Sequence, residues 1–231
     1  MKGPMKGLKF ILGSMEGKGG GASVYFDMIE GPQTKAFAHT VQVGHVFFDI
    51  GANVGYYTLL ASKLIGNTGK VVAVEPSVRN IAYLYKHVQI NKLKNVSIVS
   101  AAASNNISIT IFSQSDNNAM GHIADKGVFD IKAASTLIPV VTISIDELIK
   151  STGVNPDVIK IDVEGAETDV LNGMKDLLQT KPPIIFLSIH SDDLRKECLS
   201  FLQNYKYNFK LLSSEKNILF EYLCTVDGLN Q

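Results

Sequence analysis

The chain has 231 residues, with 22 basic and 22 acidic side chains, 45% hydrophobic residues and 19% charged ones. A chain this long fits one large domain or two small ones and needs no disulfide or metal staple. The even charge argues against a nucleic-acid-binding surface or a polybasic membrane anchor. Two cysteines, Cys198 and Cys224, are too few for a disulfide scaffold, and neither has the close Cys/His neighbours of a zinc site.

Residues 17–21 read Gly-Lys-Gly-Gly-Gly, too flexible for a helix or strand interior. Residues 1–30 are therefore expected to form a flexible N-terminal segment, at most a lid. The apolar stretch at 8–12 is broken by Lys9 and is no secretory core, and runs such as 184–189 fall far short of a bilayer span. A cytoplasmic chain without a membrane partner is expected.

Residues 46–50 (VFFDI) read as a buried strand ended by Gly51, followed by a helix stripe of Tyr57, Leu60, Ala61 and Leu64. Gly66-Asn-Thr-Gly69 stops that helix and 71–74 form a second strand. Ser77 is placed to cap a helix carrying Ile81, Leu84, Tyr85 and Val88, and 96–99 form a third strand. Residues 107–112 and 141–145 alternate apolar residues with Ser or Thr, which suits a β-rich antiparallel excursion near 100–145 with one wet face. Strand 158–163, a helix over about 166–178, and strand 184–189 follow. A further helix carries Leu194, Cys198, Phe201, Leu202 and Tyr205. The last two strands, near 209–212 and 218–224, are joined through Ser-Ser-Glu-Lys-Asn as a hairpin.

Repeated strand–helix–strand units imply right-handed crossovers and a mostly parallel sheet, with the closing hairpin adding an antiparallel strand. The expected fold class is α/β, a Rossmann-like three-layer sandwich over residues 31–231. In such sheets ligands bind beyond the carboxyl ends of the strands.

The first strand runs into Asp49-Ile-Gly-Ala-Asn-Val-Gly55. Gly51 permits a tight turn, and Gly55 lets the next helix pack close to the strand. Asn53 and Tyr56 stand where a dinucleotide pattern needs glycine, which disfavours pyrophosphate. Glu75 ends the second strand, where an ionised carboxylate can accept from both hydroxyls of a ribose. Together these features indicate an adenosine ligand, with S-adenosylmethionine (SAM) the better candidate. Asp49 and Asn53 are candidates for its amino-acid end.

The strand at 158–163 runs on through Glu167 as Val-Ile-Lys-Ile-Asp-Val-Glu-Gly-Ala-Glu, with Lys160 and Asp162 on one face. Charges in a covered parallel strand are costly unless paired. One reading is therefore a structural pairing of Lys160 with Asp162 or Asp49. The other places Asp162 and Glu164 at the mouth of the cleft beside Gly51. Glu167, in the first turn of the next helix, reads as mainly structural. His190 closes the fifth strand, and an imidazole there suits proton transfer near neutral pH. His39, His45, His87 and His122 read as structural or surface residues. Asp162, Glu164 and His190 could also form an oxygen-and-imidazole metal site, but Lys160 offsets part of that charge, and no metal is expected.

These residues resemble the FkbM family of SAM-dependent methyltransferases. The match runs through Val46 to Thr58 (VFFDIGANVGYYT), Ala73-Val-Glu-Pro76, Ile159 to Glu167 (IKIDVEGAE) and Pro182 to His190 (PPIIFLSIH). The resemblance implies a class I methyltransferase fold, SAM as methyl donor, and a hydroxyl acceptor on a sugar, polyketide or other small metabolite. It places cofactor contacts on Asp49, Gly51, Asn53, Gly55 and Glu75. His190, Asp162 and Glu164 are the expected catalytic residues, His190 as the base. The roof of the acceptor pocket is expected from the 100–140 excursion together with Tyr25, Phe26 and Met28. One departure is Ser188, where the family often carries glutamate. A non-catalytic SAM-binding protein and a nicotinamide-dependent oxidoreductase are the alternatives.

Overall fold

A computed structural model describes residues 3–11, 14, 31–114, 121–123, 136–215 and 218–228. Tyr25, Phe26 and Met28 lie outside the described residues. Seven strands form the main sheet: β1 (Val46–Ile50), β2 (Lys70–Glu75), β3 (Val96–Ser100), β8 (Val158–Ile161), β9 (Ile184–Ile189), β10 (Tyr207–Glu215) and β11 (Leu219–Val226). Their order is β10-β11-β9-β8-β1-β2-β3. From β9 through β3 the pairing is parallel, while β11 runs antiparallel to β9 and β10 antiparallel to β11. From β1 the chain moves to β2 and β3 on one side, and after the excursion it crosses back to β8 on the other side of β1. The strand order therefore reverses at β1, opening a crevice above its carboxyl end.

Side chains alternate across this sheet because the strand repeat is two residues. Phe48, Ile50, Ile159, Ile161 and Leu187 enter one core cluster with the helices that follow β8. Phe47, Val71, Val158 and Phe186 enter the other. That second cluster is closed by α1 (Pro32–Thr40) and α2 (Tyr56–Ile65). Phe37 of α1 sets its ring 5.0 Å from Phe47, 5.1 Å from Tyr57 and 5.3 Å from Phe186. Each fully buried aromatic of this kind contributes about 1.5–3 kcal/mol. After β2 comes α3 (Val78–Ile90), which Ser77 caps as expected by accepting from the Asn80 N–H.

Several elements depart from the sequence pattern. The excursion is a separate four-stranded sheet: β4 (Ala102–Ala103), β5 (Ser108–Gln114), β6 (Gly121–Ile123) and β7 (Thr136–Ile143), in the order β4-β7-β5-β6. Its pairing is antiparallel except for β4 with β7. Ile145, read as a strand end, instead opens α4 (Ile145–Thr152), because Ser144 accepts from the Glu147 N–H as an N-cap. The single helix expected over 166–178 is two, α5 (Glu167–Asn172) and α6 (Lys175–Thr180). The break falls at Gly173, where a Cβ would stand 2.2 Å from the Ser104 carbonyl oxygen. Asp146 then caps α6, accepting from the N–H groups of Asp176 and Leu177 at 3.0 Å each. Strand β8 stops at Ile161 rather than 163, which leaves Asp162 in the following loop. Strand β10 runs through Glu215, absorbing residues assigned to the hairpin turn. Helix α7 (Asp192–Gln203) covers β9 and β10.

The mobile tail expected over residues 1–30 is corrected for its first part. Met5 and Phe10 are each only 2% exposed and belong to the second core cluster. Phe10 stacks 4.0 Å from the His87 ring, and the Ile11 N–H donates to His87 Nε2 at 3.0 Å. Lys63 donates to the Pro4 and Lys6 carbonyls. The apolar side chains that looked like a broken tail pattern are this strap's anchors.

Candidate active site

The crevice above β1 opens into a cleft of about 650 Å³ including its solvent-facing part. Its floor is the turn after β1. Gly51 has φ +80°, and a Cβ on it would lie 1.9 Å from the Asp162 carbonyl oxygen. The loops after β1 and β8 therefore meet at this glycine, which no other residue can replace without moving one of them. Gly55 has φ +96°, and its missing Cβ makes room for Leu84 of α3, at 2.4 Å, rather than for the strand behind it. Asn53, a non-glycine residue, is held at φ +51° between them. Glu164 on the opposite lip has φ +52°. Non-glycine residues in this region are uncommon and cost about 1–3 kcal/mol, and they gather at functional sites.

Glu75 organises the β2 side. Its Oε2 accepts from the Asn53 N–H at 2.8 Å, and its Oε1 accepts from the Ser77 N–H at 3.0 Å and from Asn80 Nδ2 at 3.1 Å. Three of the roughly four acceptor sites of a carboxylate are thus occupied, leaving room for about one ribose hydroxyl rather than the two expected. Burial pushes its carboxyl up to about 6, against the three hydrogen bonds that oppose the shift.

Asp49 does not reach the cleft. It is 1% exposed, and its Oδ2 accepts from the Thr58 hydroxyl at 2.5 Å. Burial raises its pKa, with the Lys160 charge pulling the other way. Its side chain follows Phe47 onto the sheet face under α2, so the expected contact with the cofactor's amino-acid end is replaced by a buried bond to that helix.

On the other lip, Lys160 donates to Asp162 Oδ2 at 2.6 Å, and its ammonium sits 4.7 Å from the Tyr57 ring centroid. Of the two pairings considered for Lys160, this is the direct one. His190 stands beside it. Its Nδ1 lies 2.7 Å from Glu167 Oε1, and its Nε2 lies 3.5 Å from Asp162 Oδ1 and 3.4 Å from Glu164 Oε2. A carboxylate at Nδ1 requires the proton on that nitrogen and leaves Nε2 to face the lip. Burial lowers the His190 pKa, but the Glu167 hydrogen bond and the charges of Asp162 and Glu164 outweigh it, so the net direction is up. Asp162 is held below the usual carboxylate range because the Lys160 charge and hydrogen bond overcome its burial. Burial raises Glu164, with His190 opposing.

Glu167 is the residue whose role sequence reasoning missed. It does open α5, as the dipole argument required, yet its side chain is fully buried and aimed at His190 rather than at its own helix. Its Oε1 also accepts from the Gly165 N–H at 3.0 Å, while Oε2 has no hydrogen-bond partner among the described residues. The remaining wall of the cleft is Asn80 from α3, which was not anticipated, and Ala102, Ala103 and Phe112 from the second sheet, which lie in the excursion expected to roof the acceptor pocket. Phe112 was visible as an apolar member of the alternating run. Ser188 is 2% exposed, accepts from Gln33 Nε2 at 3.2 Å and pairs in register with Glu221. It therefore faces α1 rather than the cleft. His87 is a buried core residue, as read, and its ring also touches the Val54 carbonyl at 2.7 Å. The His122 side chain lies outside the described residues.

A parallel sheet reversing at β1, a glycine turn, and an acid ending β2 define a class I methyltransferase fold. The methyltransferase FkbM domain matches residues 49–209, and the chain belongs to that family, as a methyltransferase dependent on SAM. Similar solved structures share the fold at low identity. The methyltransferase FkbM from Methylobacillus flagellatus KT is 18% identical with a TM-score of 0.53, covering 87% of this chain and 52% of that one. Aeropyrum pernix fibrillarin, solved with natively bound S-adenosyl-L-methionine, is 14% identical with a TM-score of 0.53, over 80% of this chain and 68% of that one. The precorrin-6y C5,15-methyltransferase of Geobacter metallireducens GS-15 is 14% identical with a TM-score of 0.53, over 84% of this chain and 87% of that one. No curated protein matches the chain in sequence. Among the described residues, no helix is long and apolar enough to cross a membrane.

Proposed function

We propose that this methyltransferase acts on a hydroxyl group of a small metabolite or sugar. The carrying observation is the cluster of Asp162, Glu164 and His190 on the cleft lip, opposite the glycine turn and Glu75. The cleft suits an adenosine ligand: Gly51 and Asn53 shape its floor, and Glu75 keeps an acceptor site for a ribose hydroxyl. Bound there, SAM supplies an electrophilic methyl group on a sulfonium sulfur. Asp162 and Glu164, which line the cleft, accept hydrogen bonds from the acceptor's hydroxyls and hold it in line, and such positioning contributes up to about 7–11 kcal/mol. His190 Nε2 takes the proton as the acceptor oxygen becomes nucleophilic, and Glu167 fixes the tautomer that leaves Nε2 available. General-base help of this kind is worth about 10²–10⁴-fold.

A nucleic-acid acceptor is disfavoured by the same lip. Asp162, Glu164 and Glu167 surround it, and among the described residues Lys160 is the fixed cation that touches them. A phosphate backbone would be repelled there. The neutral total charge gives no field to offset that repulsion.

The test is release of S-adenosylhomocysteine from SAM in the presence of pools of hydroxylated metabolites, sugars and RNA. Turnover with the small hydroxyl compounds, cut about 100-fold by His190→Ala while SAM affinity by calorimetry stays within twofold, is the expected result. Turnover confined to RNA would overturn the acceptor. SAM binding without turnover on any pool would favour the non-catalytic reading.

A further inference from the structure

Three donor atoms converge on the cleft lip without touching one another as hydrogen-bond partners should. His190 Nε2 lies 3.5 Å from Asp162 Oδ1 and 3.4 Å from Glu164 Oε2, longer than the usual N–H···O range of about 2.7–3.2 Å. Separations of this size also match those between two ligands of one ion. Two ligands each about 2.1 Å from a shared ion and this far apart subtend about 110° at it. All three atoms fall within 4.8 Å of one another.

The surroundings favour a cation independently of this spacing. Glu167 is fully buried and directs Oε1 at His190 Nδ1, yet its Oε2 has no hydrogen-bond partner among the described residues. A buried carboxylate left half-satisfied against a cluster is costly unless positive charge stands nearby. Lys160 supplies one ammonium, and it is spent on Asp162 Oδ2. Asp162 and Glu164 therefore face the lip with one fixed cation, and Glu167 adds a third carboxylate behind the imidazole. The contacts also have the outer-shell form of a metal centre. The imidazole is oriented through its other nitrogen by a carboxylate, and the aspartate's second oxygen is held by Lys160, which leaves Nε2 and Oδ1 directed inward.

We propose that Asp162, Glu164 and His190 bind one divalent first-row cation, with Mn²⁺ a fitting occupant, and that Glu167 is the positioning residue for His190. Carboxylate oxygen suits Mn²⁺ and imidazole suits the later metals of the row, so the mixed set selects this class over Ca²⁺. Three protein ligands leave coordination positions open to water or to an acceptor oxygen. With a cation bound, His190 Nε2 is a ligand rather than a base; an acceptor hydroxyl at an open position is acidified, and its proton passes to solvent water. That last consequence rests on the O-methylation reading; the site itself does not.

The experiment is titration of the full chain with Mn²⁺, read as loss of the free-ion electron paramagnetic resonance signal, with S-adenosylhomocysteine affinity measured on the same samples. One Mn²⁺ per wild-type chain is expected. Glu164→Gln and His190→Gln should each weaken uptake about tenfold or more, and Glu167→Gln about 10–100-fold, with S-adenosylhomocysteine affinity unchanged. A wild-type chain that binds S-adenosylhomocysteine but takes up no Mn²⁺ at millimolar concentration overturns the site and leaves the methyltransferase reading intact. Equal uptake by the wild type and a folded His190→Gln also overturns it. Because the wild-type titration decides first, a variant that fails to fold does not rescue the proposal.

Discussion

The two lips of the cleft are built on opposite principles. On the β2 side, Glu75 is one carboxylate surrounded by two backbone N–H groups and the Asn80 side-chain amide, all at 2.8–3.1 Å. On the β8 and β9 side, Asp162, Glu164, Glu167 and His190 crowd together with spacings of 3.4–3.5 Å at Nε2 and a carboxylate oxygen that lacks a partner among the described residues. One lip is neutralised by dipoles that cannot move, which suits holding a ligand in a single pose. The other keeps charge in excess, which suits chemistry on whatever arrives. Both carry one non-glycine residue in the left-handed region, Asn53 and Glu164, so the backbone is strained where each lip meets the cleft.

The sharpest way to break that contrast is Gly51, where the lips touch. Gly51→Ala forces a Cβ onto the Asp162 carbonyl and keeps a disfavoured φ. Strain of about 1–3 kcal/mol, borne by the bound state, predicts a loss of SAM affinity of about 5–150-fold, and the clash adds to it. Calorimetry measures this; unchanged affinity would mean the two loops move independently. Away from both lips, Phe37→Ala should cost about 3–5 kcal/mol in denaturant unfolding by emptying the site between Phe47, Tyr57 and Phe186.

The β2 lip makes a prediction in pH. Ionised Glu75 is the form that accepts from a ribose hydroxyl. SAM affinity should therefore be flat above about pH 7 and fall as pH drops through about 6, where calorimetry across pH 5–8 would follow it. Folding stability has the opposite sign. The folded state raises this carboxyl from 4.5 to about 6, so the group's stabilising contribution is present below about pH 4.5 and is lost as pH rises through 6. The shift corresponds to about 2 kcal/mol. Glu75→Gln should therefore weaken SAM binding about tenfold or more while flattening both profiles. A variant that keeps the wild-type pH profile would place the titration elsewhere. The smallest effect is expected at the helix cap behind this lip, where Ser77→Ala should cost about 1 kcal/mol of stability, checked by thermal unfolding.

Much of the architecture was legible in local pattern. The strands at 46–50, 71–74, 96–99 and 184–189 appear within a residue or so of their expected limits, because continuous apolar runs bounded by glycine, proline or a capping serine carry their own ends. The parallel order, the antiparallel close, and the convergence of Gly51, Asn53, Glu75, Asp162 and Glu164 on one cleft follow from strand ends in an α/β sheet. Each of these signals is short-range: a repeat of two or about 3.6 residues, or a residue type that only one backbone conformation tolerates.

What escaped was set by contacts between segments far apart in the chain. Glu167 meets His190 across 23 residues because α5 starts where β8 ends and β8 lies in register beside β9. Its position in the helix gave a sufficient local reason for an acid and hid the second one. Asp49 turned inward because Thr58 of α2 was there to receive it. The helix over 166–178 broke at Gly173 because the Ser104 backbone presses on it, and the N-terminal strap is ordered because His87, Lys63 and Asn91 supply partners more than 50 residues away. Propensity specifies which elements form; which charge faces which depends on register and packing, where a carboxylate's neighbours decide whether it holds a ligand, a helix or an imidazole.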